Sequence, residues 1–207
     1  MFVDVKSGAM PWRDVYKLCI SFINPRPIAL VSTLAADGRR NLAPFSFYNM
    51  VCARPPTVIV CTGVRRDGRP KDTLINIQET RQFVVATVTP AIARPMAATA
   101  AELPYGEDEF AFSGLTPAAA SLVRPGLVKE SPINIECGLQ QIVSLGDGPG
   151  GAQVIFGDIL AIHVDDGLLH DGQCDPNRLR TVGRLGGKWY ADAANPYEMD
   201  IPEAPRR

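Results

Sequence analysis

A chain of 207 residues can bury the core of one ordinary domain, and 46% hydrophobic with 21% charged residues is a globular balance. The formal net charge of -1 gives no basic footprint for nucleic acid or an anionic membrane. No apolar run reaches the ~18 residues of a membrane span, and Met1–Lys6 lacks the basic start and apolar stretch of a secretory signal.

With 18 Gly and 18 Pro, the chain predicts many turns and short elements. A first helix is expected over Trp12–Phe22, where Trp12, Val15, Tyr16, Cys19 and Ile20 recur at helical spacing and Pro25 and Pro27 stop it. Ile28–Leu34 reads as a buried strand and Asp37-Gly38 as its hairpin turn, with the returning strand running from about Arg40 to Val51. Thr57–Thr62 is the next strand and 65–70 a charged, exposed turn. A helix follows through Glu79, capped by Asp72 or Thr73, with Leu74 and Ile77 inward. Phe83–Thr89 is a strand. Pro90–Leu122 alternates Ala-rich helical pieces with a polar loop over Pro104–Ser113. Ile133–Leu145 and Gln153–Val164 form a long pair of strands about the Gly-rich linker 146–151, and the tail beyond Asp192 is polar and Pro-rich. With no repeat or composition break, the whole of 1–207 is expected to be one mainly β domain with inserted helices, a β-barrel.

Gly146, Gly148 and Gly151 fit the Gly-x-Gly-x-x-Gly spacing of a dinucleotide site, but a strand follows them instead of a helix, and Pro149 intervenes. The reading is a hairpin loop, with no separate nicotinamide-dinucleotide domain. His163 and His170 are the only histidines and lack the company of a metal site; Asp165, Asp166, Asp171 and Asp175 read as a solvated rim. No Gly-x-Ser-x-Gly elbow supports a hydrolase. Five widely spaced cysteines read as reduced thiols in a cytoplasmic protein, Cys61 included.

Two segments carry more chemistry. Asn41–Asn49 is nearly uncharged yet interleaves Asn, Ser and Tyr with apolar residues, more polar groups than a plain core strand satisfies. Lys71-Asp72-Thr73 opens a helix with a cation and a hydroxyl, a competent phosphate site. A flat ring at one end and a phosphate at the other describe a flavin mononucleotide.

These segments, together with 26–33, Asp37-Gly38, Pro55-Pro56, Asn76, Phe83–Val85, Arg184–Gly187 and Tyr190, resemble the flavin reductase-like family. The resemblance covers about residues 12–190. It implies a Greek-key FMN-binding split barrel, a homodimer, and FMN near the subunit interface. Carried over, it places Ser32 and Thr33 near the isoalloxazine, with Asn41 and the backbone of Ala43, Pro44 and Phe45. Ser46, Thr62, Lys71, Asp72 and Thr73 would form the ribityl-phosphate end, Asp72 by capping the helix or orienting Lys71. Arg26 would add charge, and Arg184 and Tyr190 would reach the flavin or a second substrate. The family more often has Phe where this chain has Tyr48, which gives that position a packing role.

The expected activity is an NAD(P)H-dependent flavin reductase supplying reduced FMN to a monooxygenase partner, with NADH or NADPH as co-substrate. The flavin carries the redox chemistry, in keeping with the lack of an acid–base pair. The alternatives are an FMN-bound oxidoreductase acting directly on a small acceptor, and a non-catalytic flavin or haem carrier. Two histidines argue against haem. A purely structural domain would leave the polar strand and the lysine-led helix unexplained.

Overall fold

The computed structural model describes residues 1–65, 67–104, 107–146 and 148–202. Arg66, Tyr105, Gly106, Asp147 and the end of the tail therefore lie outside the described residues, and with them one position each of the basic turn and the Gly-rich linker, two of the polar loop, and 203–207.

The elements in order are α1 (Trp12–Phe22), β1 (Arg26–Pro27), β2 (Ala29–Leu34), β3 (Arg40–Phe45), β4 (Tyr48–Ala53), β5 (Pro56–Gly63), α2 (Asp72–Thr80) and β6 (Gln82–Thr87). A 3-10 turn over Pro90–Ile92, α3 (Ala93–Ala98), α4 (Glu109–Ser113), β7 (Pro117–Ala118) and β8 (Leu127–Val128) follow. The chain then forms β9 (Ile133–Leu145), β10 (Ala152–Val164), a 3-10 turn over Asp166–Leu168, β11 (Leu169–His170), β12 (Gln173–Cys174), β13 (Val182–Arg184) and β14 (Tyr190–Asp192). Among the described residues no helix is long and apolar enough to cross a membrane.

The main sheet has seven antiparallel strands in the order β3-β2-β6-β9-β10-β5-β4. Its two edge strands are neighbours in sequence, so the sheet curls until the Ser46-Phe47 link joins one edge to the other. The Phe47 carbonyl accepts from the Cys61 amide at 2.9 Å, which extends the β4–β5 ladder back to this joint. The single strand expected over Arg40–Val51 is thus two strands with different partners, β3 on β2 and β4 on β5.

Alternation along β2 sorts the core into two clusters. Ala29 and Val31 face inward with Val58, Val60, Phe83, Val85 and Ile155, and α2 closes that cluster with Leu74 and Ile77. Leu30 faces the other way, with Leu42, Ala86, Ile92, Met96 and Phe110. Strand β6 is buried on both faces, the reason for its unbroken apolar run. Gly157 lies where a Cβ would stand 2.3 Å from the Phe83 ring, at a bulge in the β9–β10 ladder, so only glycine lets that ring fill the interior. Tyr48 is half-buried against the inner cluster, and burial pushes its phenol up to about 12.

Glu136, in the middle of β9, is fully buried. Its carboxylate accepts from the backbone amides of Ser121 (2.7 Å), Leu122 (2.6 Å) and Val123 (2.9 Å), and it also contacts His163 Nε2. This nest pins the chain before β8 to the sheet. Burial opposes the charge, yet the His163 and amide hydrogen bonds together hold the carboxyl below its ordinary range.

The first helix forms where periodicity places it, but none of its side chains is buried. Trp12, Tyr16 and Phe22 are exposed. Its C-terminal carbonyls are tied down by Arg26 instead of by packing.

Candidate functional site

The β2–β3 hairpin closes over Ala35–Arg39, with Gly38 at φ +91°, a conformation that favours glycine. It sets Thr33 opposite Asn41 and Ser32 opposite Leu42. Thr33 and Asn41 then meet the first turn of α2. Asn41 Nδ2 donates to Thr33 Oγ1 (3.1 Å) and Thr73 Oγ1 (3.0 Å), and Asn76 Nδ2 donates to Thr33 Oγ1 (3.0 Å). All four residues are buried. The polar excess that marks Asn41 and Thr73 in the sequence is therefore largely a knot bolting α2 to the hairpin, each bond worth about 1 kcal/mol net.

Ser32 is on the opposite face from Thr33, on the side of Leu30 and Leu42. Its Oγ is buried with no partner among the described residues. Adjacent in sequence, the two hydroxyls do not share one pocket.

Strand β3 is a sheet edge, the place where a strand proline is tolerated. The Leu42 amide points away from β2 and donates to Glu109 Oε2 at 3.1 Å. By the antiparallel alternation, Pro44 also faces outward and brings a carbonyl but no N–H. Ala43 and Phe45 turn their amides to β2, and their side chains pack on the inner cluster. The outward edge between Leu42 and Ser46 is thus an acceptor. Burial raises the Glu109 carboxyl above its ordinary range. A groove of ≈ 290 Å³ opens here, lined by Arg39, Arg40, Asn41, Asn76, Glu107 and Glu109.

At the other end of the hairpin's inner face is the start of α2. Lys71 occupies the N-cap position, with no side-chain cap bond. The expected capping by Asp72 or Thr73 is not what forms: Asp72 is the first helical residue and pairs with Arg65 (2.7 Å), while Thr73 belongs to the knot. Helical geometry leaves the Asp72 and Thr73 amides without intrahelical acceptors. Thr62, on the inner face of β5 with Val58 and Val60, has a buried hydroxyl with no partner among the described residues, and the Nε of Arg65 has none either. The Lys71 ammonium likewise has no hydrogen-bond or ion-pair partner among the described residues. Arg69 is taken by Asp67 at 2.7 Å. Burial raises the Cys61 thiol, which favours its protonated form.

A third group gathers around Phe47. Arg26 donates to the carbonyls of Ile20 (3.0 Å), Ile23 and Leu185 (2.9 Å), joining the end of α1 to the β13–β14 hairpin. Its guanidinium lies 5.8 Å from the centroid of Phe47, and burial lowers its pKa. Arg184, opposite Arg26 across β1 and β13, stacks on Tyr190 at 4.4 Å and donates to Gly187 O. Arg26 is a tie between segments, a role its position in the sequence did not suggest. From Asn41 to Phe47 the chain rises about 20 Å, so β3 and half-buried Ser46 run between the α2 start and the Arg26–Arg184–Tyr190 group.

An FMN phosphate fits the α2 start on two observations: unpartnered donors on Thr62 and Arg65, and an ammonium without a counter-ion. The acceptor edge at Pro44 fits the N–H of a ring ligand. Glu109 and Glu136 have no role in the sequence reading, and Arg65 figures there only in the exposed basic turn. The one available signal was a lone carboxylate amid apolar neighbours, as at Glu136.

Comparison with known proteins places these features in context. The profile of the flavin reductase like domain matches residues 22–177. Nitrilotriacetate monooxygenase component B from Bacillus cereus is 31% identical, with a TM-score of 0.90, and the match covers 96% of this chain and 99% of that one. The 2-nitrobenzoate 2-nitroreductase NbaA of Pseudomonas fluorescens is 27% identical at a TM-score of 0.85, over 98% and 96% of the two chains. A flavin reductase with a split barrel domain, described as putative, from Shewanella frigidimarina NCIMB 400 is 25% identical at 0.82, over 99% of each chain.

Proposed function

Because this chain belongs to the flavin reductase like family of split barrels, we propose that it is a single-domain, FMN-binding NAD(P)H:flavin oxidoreductase, acting in the cytoplasm as a homodimer. Its role is to supply reduced flavin to a monooxygenase. The observation that carries the reading is the set of donors without partners among the described residues: Thr62 Oγ1 at the end of β5, Arg65 Nε beside its pair with Asp72, and the Lys71 ammonium at the N-cap of α2. The kinship with a monooxygenase component B supports the choice of partner.

Bound FMN supplies the two-electron chemistry. Lys71 and the α2 amides hold a phosphate dianion, Thr62 and Arg65 complete its hydrogen bonds, and the Arg65–Asp72 pair keeps the Asp72 charge from repelling it. The Thr33–Asn41–Thr73–Asn76 knot acts indirectly, by fixing α2 against the strand that carries Pro44. The exposed apolar face of α1, Phe47 and β4 supports a dimer.

The test is flavin titration by fluorescence, then aerobic oxidation of NADH and NADPH with and without added FMN. Quenching and flavin-dependent turnover are expected. Absence of quenching sinks the cofactor assignment. The likeness to NbaA favours a second reading, direct reduction of a small acceptor. Turnover with a nitroaromatic acceptor, but none with free FMN, selects it.

A further inference from the structure

Strand β14 ends at Asp192, and after the Ala193 amide binds Thr181 O at 3.0 Å the tail leaves the fold. In the segment 196–202, apolar and acidic residues alternate: Tyr197, Met199 and Ile201 are 81%, 77% and 93% exposed, with Glu198 and Asp200 between them. A period of two sorts an extended chain into one apolar and one acidic side. Pro196 and Pro202 bracket the segment and bias Asn195 and Ile201 toward extended backbone, so less entropy is lost on docking.

A surface of matching chemistry exists on the same fold. Trp12, Tyr16 and Phe22 of α1, with Phe47, Met50 and Val51, are large, apolar and exposed. Tyr16 meets Phe47 edge to face at 6.4 Å, so this surface joins α1 to the start of β4, an outer strand of the sheet. Exposed cations rim it: Arg13, stacked on Trp12, Lys17, paired with Asp14, and Arg54 at the end of β4. Residues 193–202 contain two carboxylates and no cation.

The tail starts from the small sheet that is tied to α1. Strand β14 pairs with β13 and β13 with β1, and Arg26 of β1 holds the end of α1. When two copies meet around a twofold axis beside this surface, the surface stays open and each tail can cross to the other copy to cover it. Ten extended residues reach about 33 Å, enough to cross it.

We propose that residues 196–202 are an exchanged arm, which lies across the α1–Phe47–β4 face of a second copy of this chain. Tyr197, Met199 and Ile201 cover the apolar surface, and Glu198 and Asp200 stand toward Arg13, Lys17 and Arg54. This inference rests on the homodimer proposed above.

Light scattering across a dilution series, with hydrogen exchange of the peptide 47–53, tests it on the full chain. Wild type is expected to be a dimer whose β4 amides lose protection on dilution to monomer. Y197S/M199S/I201S is expected to dissociate at roughly tenfold higher concentration, with β4 exchanging faster. E198K/D200K, which leaves the apolar residues in place, should weaken the dimer in low salt and less so in high salt. A dimer with β4 exchange unchanged in both variants overturns the arm and leaves the dimer standing. Protection that survives dilution to monomer places the arm on its own chain and also overturns the proposal. A wild type that is monomeric at every concentration removes the dimer, and the arm with it.

Discussion

The Glu136 nest and the start of α2 are built from the same materials, backbone amides around a buried charged or hydroxyl group. In the nest, the amides of Ser121, Leu122 and Val123 all point at one carboxylate. At α2, Thr62 Oγ1 and Arg65 Nε have no partner among the described residues. The first arrangement is complete as it stands and holds the fold. The second carries the cost of unsatisfied burial, which a ligand with strong acceptors removes. Completeness of hydrogen bonding therefore distinguishes these two clusters, where residue type does not.

Breaking the complete cluster should have the largest effect. Glu136→Leu leaves three amides, that of Val123 buried, without their acceptor and should cost about 3 kcal/mol in chemical denaturation, while the folded fraction keeps its FMN affinity. The same carboxylate sets an acid limit. Its folded pKa lies below its ordinary value, so its contribution is fully present above the unfolded pKa of about 4.3 and is lost as pH falls through the folded value. Asp37, Asp67, Asp175 and Glu130 shift in the same direction, and Glu109 in the opposite one. Subtracting the stability–pH curve of the Glu136→Gln variant from that of wild type isolates the Glu136 term. A flat difference below pH 5 would show that the nest does not hold a charge.

The incomplete cluster should respond in binding and not in folding. Lys71→Ala should weaken FMN by about 1.5–3 kcal/mol, with an unchanged denaturation midpoint; an unchanged dissociation constant would move the phosphate elsewhere. Thr62→Val is the smallest and sharpest test. Without ligand it should be neutral or more stable by about 1 kcal/mol, because an unsatisfied hydroxyl is replaced by a methyl, yet it should bind FMN more weakly by a similar amount. Loss of stability in this variant would mean that the hydroxyl already has a partner.

Long-period features were legible in the sequence. The 133–145 and 153–164 strands and the Trp12–Phe22 helix follow from alternation and helical spacing, and they form within a residue or so of the expected bounds. The break at Ser46-Phe47 was not legible, because a change of strand partner leaves no mark in composition. Helix α4 was read as polar loop; at five residues, capped by Asp108, it is too short for periodicity to show. At the site, Lys71 was identifiable from its place before a helix. Thr33, Asn41, Thr73 and Arg26 are expected at the ligand, and a sequence does not say whether a polar side chain will find its partner within the chain. The opposed directions of Ser32 and Thr33 were available from strand alternation alone.

The joint at Ser46-Phe47 bears on how the molecule assembles. The strand ends it connects, Phe45 and Tyr48, are separated by only two residues, yet five other strands lie between β3 and β4 across the sheet. The hairpins on either side can form locally, but the edges are brought into place only after β9 and β10, more than eighty residues downstream, have been added between them. Closure is thus a late, long-range event on the folding pathway. During refolding, cofactor capture at Lys71 and Thr62 would register the finished sheet, and the appearance of bound flavin would time its completion.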